Sequence, residues 1–381
     1  MARAMKDSGI AWIGEIPEGW EVGKAKYCVT ISNGSNPNTE GDIPVYGSGA
    51  SSFKTCGEYK EGPCVLVGRK GATLHIPHYI DHRYWNVDTA FDVKPKQRFS
   101  LKYYYYLASC FDYKLYISQT TLPGMTQTNY ENMSLPVPEE WEQKRIVDLL
   151  DTECARIDAV IEQTRASIEE YKKLKQAVIT QAVTKGIRPN RPMKASRIDW
   201  IGSLPEDWII IKAKYCVEIS NGTDPKTEGD IPVYGSGAAS FKTCGEYKEG
   251  PCVLIGRKGA TLHIPHYIEG KYWNVDTAFD VKAKQGYNLK YYYYAACCFD
   301  YKLYISQTTL PGMTQTNYDN MSLPCPSFDE QQEIVDYLDE KARGLDLLMQ
   351  KKEQLLNDLE TYKKSMIFEY VTGKKSIQEV F

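Results

Sequence analysis

From Glu139 onward apolar side chains fall at alternating steps of three and four: Ile146, Leu150, Cys154, Ile157 and Ile161, then Ile168, Tyr171, Leu174, Val178 and Ala182. That spacing predicts a long amphipathic helix with a coiled-coil-like seam. The same register returns at Ile334, Leu338, Ala342, Leu345 and Met349, then Leu356, Leu359, Tyr362, Met366 and Tyr370. Gly186 and Pro189 close the first helix. About 45 residues rising 1.5 Å each make a rod of roughly 65–70 Å. The residues ahead of each helix are patterned differently. They hold short β-like runs, "PCVLVG" and "TAFDV", between turn signals such as "SNGSNPN", "GSGA" and "GRKGA". One stretch, "LKYYYYLASCF" at 101–111, predicts a short helix with half of its four tyrosines in the core. The expected fold is α+β, with compact heads followed by long helices.

The whole arrangement occurs twice. "GDIPVYGSGA" at 41–50 recurs letter for letter at 229–238, 188 residues on. "WIGEIPEGW" (12–20) returns as "WIGSLPEDW" (200–208), and "YKLYISQTTLPGMTQTNY" (113–130) returns unchanged at 301–318. Even "EQKRIVDLLD" (142–151) aligns with "EQQEIVDYLD" (330–339) at the same offset. A period this long marks a duplicated domain with its linker, because solenoid units run to about 20–50 residues. Four segments follow: a head at 1–138, a spacer helix at 139–190, a second head at 191–326 and a C-terminal helix at 327–381. Two rods with matching seams suit one another. Packed antiparallel, they would separate two globular α/β heads and relate the halves by an approximate two-fold axis.

Composition narrows the function. Hydrophobic residues make up 42% and charged residues 25%, as in ordinary globular proteins. No apolar run approaches the roughly 20 residues of a membrane span, and the start of the chain has no apolar signal-peptide core, so the expected location is the cytoplasm. The eleven cysteines contain no C-x-x-C and mostly recur as repeat partners, which suits reduced, buried thiols. Net charge is −3. Residues 1–138 hold 14 basic and 13 acidic side chains, and 191–326 hold 15 and 14. Any nucleic-acid contact therefore depends on locally focused cations or on a partner that supplies charge.

Several tempting motifs carry little. "YGSGA" is not G-x-G-x-x-G and no helix follows it, so a phosphate cradle is not expected. "HIPH" at 75–78 and 263–266 suits a packed surface better than a metal site, and His82 has no counterpart in the second copy. Glu58 and Lys60 have the E-x-K spacing of some nucleases but lack a clear upstream acid. There is no (D/N)-P-P-(Y/F) methyltransferase motif and no Walker A.

In order, "W-I-G-x-x-P-x-x-W", "I-P-V-Y-G-S-G", "G-R-K-G-A", "L-P-G-M-T-Q-T-N" and "L-P-x-P-x-x-x-E-Q" resemble the specificity (S, HsdS) subunit of type I restriction–modification systems. The resemblance covers nearly the whole chain and both copies. It implies that the heads are target-recognition domains, each reading half of a split site on double-stranded DNA. It implies that the helices set the gap and bind two modification (methyltransferase) subunits, with two restriction (motor-nuclease) subunits as further partners. It gives this chain no chemistry and no cofactor of its own; S-adenosylmethionine, ATP and Mg are expected on the partner subunits. Near-identical heads in inverted orientation should read an interrupted palindrome, with half-site centres about one turn, roughly 10 base pairs, apart.

Two heads that read the same bases need the same contacts, so the identical loops are the candidates. Arg69 and Lys70 sit between glycines, where an Arg can pair with guanine and a Lys can meet a phosphate. Tyr46 and Ser48 come from "YGSGA". Gln119, Thr120, Thr121, Thr126, Gln127 and Asn129 form a dense set of uncharged donors and acceptors suited to adenine and thymine. Their partners are Tyr234, Ser236, Arg257, Lys258, Gln307, Thr308, Thr309, Thr314, Gln315 and Asn317. The differing stretches "SNPNTE"/"TDPKTE" and "DHRYW"/"EGKYW" read as surface drift. The competing reading is a pseudo-dimeric coiled-coil scaffold or regulatory protein that does not touch DNA.

Overall fold

A computed structural model describes residues 3–49, 51–117, 124–237, 239–259, 261–301, 304–305 and 312–377. The chain divides into two compact units, 1–164 with 354–381 and 165–353. Each unit is a head together with a portion of both long helices.

In the first unit the head is built on a four-stranded antiparallel sheet in the order Val29–Asn33, Ala90–Pro95, Cys64–Gly68, His78–Ile80. Strand Cys64–Gly68 is buried along its whole length. Alternation sends Val65 and Val67 into the main core and Cys64 and Leu66 into a smaller one with Ile80 and Tyr84. Both faces are covered, so the strand reads as a continuous apolar run. A second small sheet, Lys54–Cys56, Ile43–Tyr46 and Trp85–Asn86, lies alongside. Helix Leu101–Ala108 starts on a Ser100 cap and buries Tyr103, Tyr104 and Tyr106. Three of the four tyrosines are core, one more than expected, because the tyrosine helix is sandwiched between the sheet and the long helices. All eleven cysteines are free.

The E-Q motif welds the first long helix, Glu140–Lys185, to its head. Glu142 is buried and accepts from the Trp20 indole at 2.8 Å and from Arg3 at 2.6 Å. Gln143 accepts from the Ser100 amide and donates to the Pro138 carbonyl. The last turns of the second long helix, Phe328–Val371, complete the same core through Met366, Ile367, Tyr370 and Val371. Tyr103 donates to the Val371 carbonyl at 2.8 Å.

The second unit repeats this plan. Its main sheet runs Val217–Asn221, Ala278–Ala283, Cys252–Gly256, His266–Ile268. Glu330 accepts from Trp208 at 3.0 Å and from Arg191, and Tyr291 donates to the Val183 carbonyl. Here the helices run antiparallel: Tyr171 lies under Lys352, and four residues further on Lys175 meets Asp346 at 2.7 Å.

The expected seam holds at both ends of each helix and fails at one equivalent position in each. Leu174 and Tyr362 are about half exposed. Lys175 and Lys363 occupy the seam instead, paired with Asp346 and Asp158 within their own units. Apolar periodicity follows side-chain type and so cannot see a lysine whose stem packs inward while its ammonium reaches an aspartate. No described helix is long and apolar enough to cross a membrane.

Candidate nucleic-acid interface

Strand Cys64–Gly68 delivers the first candidate loop. A Cβ on Gly68 would lie 2.2 Å from the Leu74 Cα, so only glycine lets the chain fold back there. The backbone of Arg69 and Lys70 is then clamped from two sides. The Arg69 amide donates to the Thr89 carbonyl at 2.8 Å, and the Arg69 carbonyl accepts from the Met125 amide at 2.9 Å. Lys70 pairs as an isolated bridge with Gly124. On the other flank Thr73 donates to the Ser48 carbonyl at 2.8 Å. Gly71, at φ +110°, lies against the Ser48 hydroxyl.

Three loops distant in sequence thus form one patch: Tyr46–Ser48, Arg69–Thr73 and 124–129. The second head repeats it with Tyr234–Ser236, Arg257–Gly259 with Thr261, and 312–317, including the Met313-to-Arg257 bond at 2.9 Å and the Thr261-to-Ser236 bond at 2.9 Å. Gln119, Thr120, Thr121, Gln307, Thr308 and Thr309 lie outside the described residues.

The cations are local and tethered. Arg69 lies over the Phe91 ring at 5.8 Å and Arg257 over Phe279 at 5.7 Å. Lys70 approaches Asp88 at 4.0 Å and Lys258 approaches Asp276 at 3.4 Å. Lys70 and Lys258 are a little under half exposed and Arg69 and Arg257 are partly buried, so the patch presents positive charge without a surplus in the head. Beside Arg257 and Lys258 a shallow cavity of about 380 Å³ is lined by Asn221, Phe279, Thr314 and Gln315.

Several candidates also serve the fold. Thr126 and Thr314 cap short helices by accepting from the Asn129 and Asn317 amides. Asn129 and Asn317 each donate to the carbonyl of Tyr116 or Tyr304. The Tyr46 ring packs on the small core and its hydroxyl meets His82 at 3.1 Å. His82 is itself 3.1 Å from Asp81. The second copy has Gly270 there, so a difference read as surface drift touches a candidate residue.

Sequence reasoning missed Asn33, which links Arg69 to Gln127, because it was read as part of a turn; it ends a sheet strand. The E-x-K pair is structural. Lys60 reaches buried Asp92 at 3.2 Å and Asn86 at 2.8 Å. Glu58 accepts from the Asn38 and Thr39 amides and the Thr39 hydroxyl, which holds its carboxyl below the usual range.

The model of the type I restriction modification DNA specificity domain matches this chain twice, over residues 17–170 and 205–357. The chain belongs to that family. It carries the domain in duplicate. The type I restriction enzyme MjaVIII specificity subunit of Methanocaldococcus jannaschii is 32% identical over 103 residues, 27% of this chain and 23% of that protein. The putative MjaX specificity subunit of the same organism is 22% identical over 275 residues, 66% of this chain and 61% of that protein. The matched regions thus span less than two thirds of either relative. A solved chain described under complex assembly and conformational transition of the type I R-M system superimposes with a TM-score of 0.74 at 15% identity, over 94% of this chain and 99% of that one. The HsdS subunit from Thermoanaerobacter tengcongensis gives 0.50 at 15% identity, over 94% and 98%. At such identity these two likenesses speak for the fold.

Proposed function

We propose that this chain reads a bipartite, interrupted-palindromic site on double-stranded DNA, one half-site per head, and positions partner subunits on it. In this reading the chain performs no catalysis. Two modification subunits bring S-adenosylmethionine and methylate adenine; two restriction subunits bring ATP, Mg and cleavage. The observation that carries the reading is the convergence, in each head, of the same three loops around Arg69 and Lys70 or Arg257 and Lys258. The near-neutral charge fits, because partner subunits can add phosphate contacts. A scaffold that does not touch DNA has no observation in its favour.

The test is single-molecule mapping of methylated adenines in cells that express the chain with its cognate modification subunit. An interrupted palindrome methylated on both strands is expected. Two unrelated half-sequences would overturn the equivalence of the heads, and no methylation beside a competent modification subunit would overturn the DNA reading itself.

A further inference from the structure

The candidate reading side chains are identical in the two heads, but their neighbours are not. In the first head Gln127 belongs to a chain of four polar groups. Arg69 Nη1 donates to Asn33 Oδ1 at 3.5 Å, and Asn33 Nδ2 donates to Gln127 Oε1 at 3.2 Å. Gln127 Nε2 then donates to the Ile31 carbonyl at 3.0 Å and to Glu131 Oε1 at 2.7 Å. A carbonyl and a carboxylate only accept, so the amide orientation follows from its partners. Both amide hydrogens are spent.

In the second head Gln315 Nε2 donates to the Ile219 carbonyl at 2.9 Å, and among the described residues no second partner is present. One methylene accounts for the missing carboxylate bond. Glu131 and Asp319 both stand four residues after their glutamine, on the same helix face. Glutamate reaches back to the amide, and aspartate is too short. Asn221, the counterpart of Asn33, makes no bond to Gln315, so among the described residues Gln315 keeps one N–H and its carbonyl oxygen free, and it lines the cavity beside Arg257 and Lys258. A free glutamine amide can accept from adenine N6 and donate to N7 together. Gln127 would first have to break a charge-assisted bond to Glu131, which offsets the gain.

We propose that Glu131 and Asp319 are positioning residues that decide which glutamine can pair with a base, so that the two heads read one base-pair position with unequal strictness. The proposal rests on the reading of both heads as DNA readers and goes beyond it: the site is a palindrome in sequence but is not held symmetrically.

The experiment uses the complex with its modification subunit and a series of duplexes substituted, position by position, in one half-site or in both. Equal heads would lose the same factor for the first and the second mismatch. Unequal heads turn the tolerant head onto the mismatched half. At one position the first mismatch should then cost no more than about threefold and the second about tenfold or more. E131D should make both mismatches costly at that position, and D319E should make neither costly. Each substitution installs the residue that the other copy carries in the same place, so both variants are expected to fold. Equal losses at every position, unchanged in both variants, would overturn the proposal. Absence of any sequence-specific binding by the wild-type complex would instead overturn the reading on which it rests.

Discussion

The two heads are identical at the residues expected to read and differ at some of those that stand beside them. Arg69 and Arg257 leave equivalent buried strands, lie over equivalent phenylalanines and are clamped by equivalent amide–carbonyl bonds. Yet Tyr46 has His82 beside its hydroxyl and Gln127 has Glu131 beside its amide, whereas Tyr234 and Gln315 face Gly270 and Asp319 at those positions. Identity of contact residues therefore does not make two surfaces equivalent. The free donors and acceptors of a side chain are those its neighbours leave over.

The largest difference between the units should appear in stability. Glu330 is almost fully buried and its Arg191 partner is 13% exposed, against 33% for Arg3 beside Glu142. Glu330→Ala leaves the Trp208 indole buried without its acceptor and Arg191 with Asp207 alone, at a cost of about 3 kcal/mol, the lower end for a broken buried pair because Asp207 still holds the guanidinium. Glu142→Ala leaves a wetter arginine and should cost about 1–3 kcal/mol. Denaturant unfolding of the two variants would break the comparison if the order reversed. In binding, Arg69→Ala and Arg257→Ala should each cost about 1–3 kcal/mol of duplex affinity in the complex. Equal losses from the two single variants would place these arginines in equivalent roles. Wild-type affinity in the double variant would remove them from the interface.

Smaller effects sharpen the same contrast. Lys175→Ala and Lys363→Ala break equivalent ion pairs whose aspartates are more than half exposed. Each should cost about 0.2–1 kcal/mol, by nearly the same amount, in thermal unfolding. The smallest effect is one of pH. The Thr227 hydroxyl and the Lys226 and Thr227 amides hold the Glu246 carboxyl down at about 2. Its folded value lies below its unfolded one, so its contribution is full above the ordinary carboxylate range and is lost as pH falls towards about 2. The protection of the Lys226 and Thr227 amides, taken against their intrinsic exchange rate at each pH, should fall across that window, and Glu246→Gln should lower it already at neutral pH.

The long helices, the duplication and the main strands were legible because each rests on periodicity or on repetition. The seam failed only at Lys175 and Lys363, where a charged residue packs like an apolar one. The candidate loops could be named, but their convergence could not. Met125 and Arg69, or Thr73 and Ser48, meet only through sheet pairing and a fold-back at Gly68 that leave no local pattern. Asn33, His82 and Glu131 were passed over for the same reason: each matters through a contact with a residue far along the chain or one helical turn away.

The clamp on Arg69 and Lys70 has an evolutionary consequence. It is made of main-chain groups, Thr89 carbonyl to Arg69 amide and Arg69 carbonyl to Met125 amide, which almost any residue can supply. The two side chains can therefore be exchanged without rebuilding their mount. On the proposed reading, mutational drift at positions 69, 70, 257 and 258 would rewrite the address before it weakened the molecule, and a combinatorial library at those four positions would explore new addresses on a constant frame.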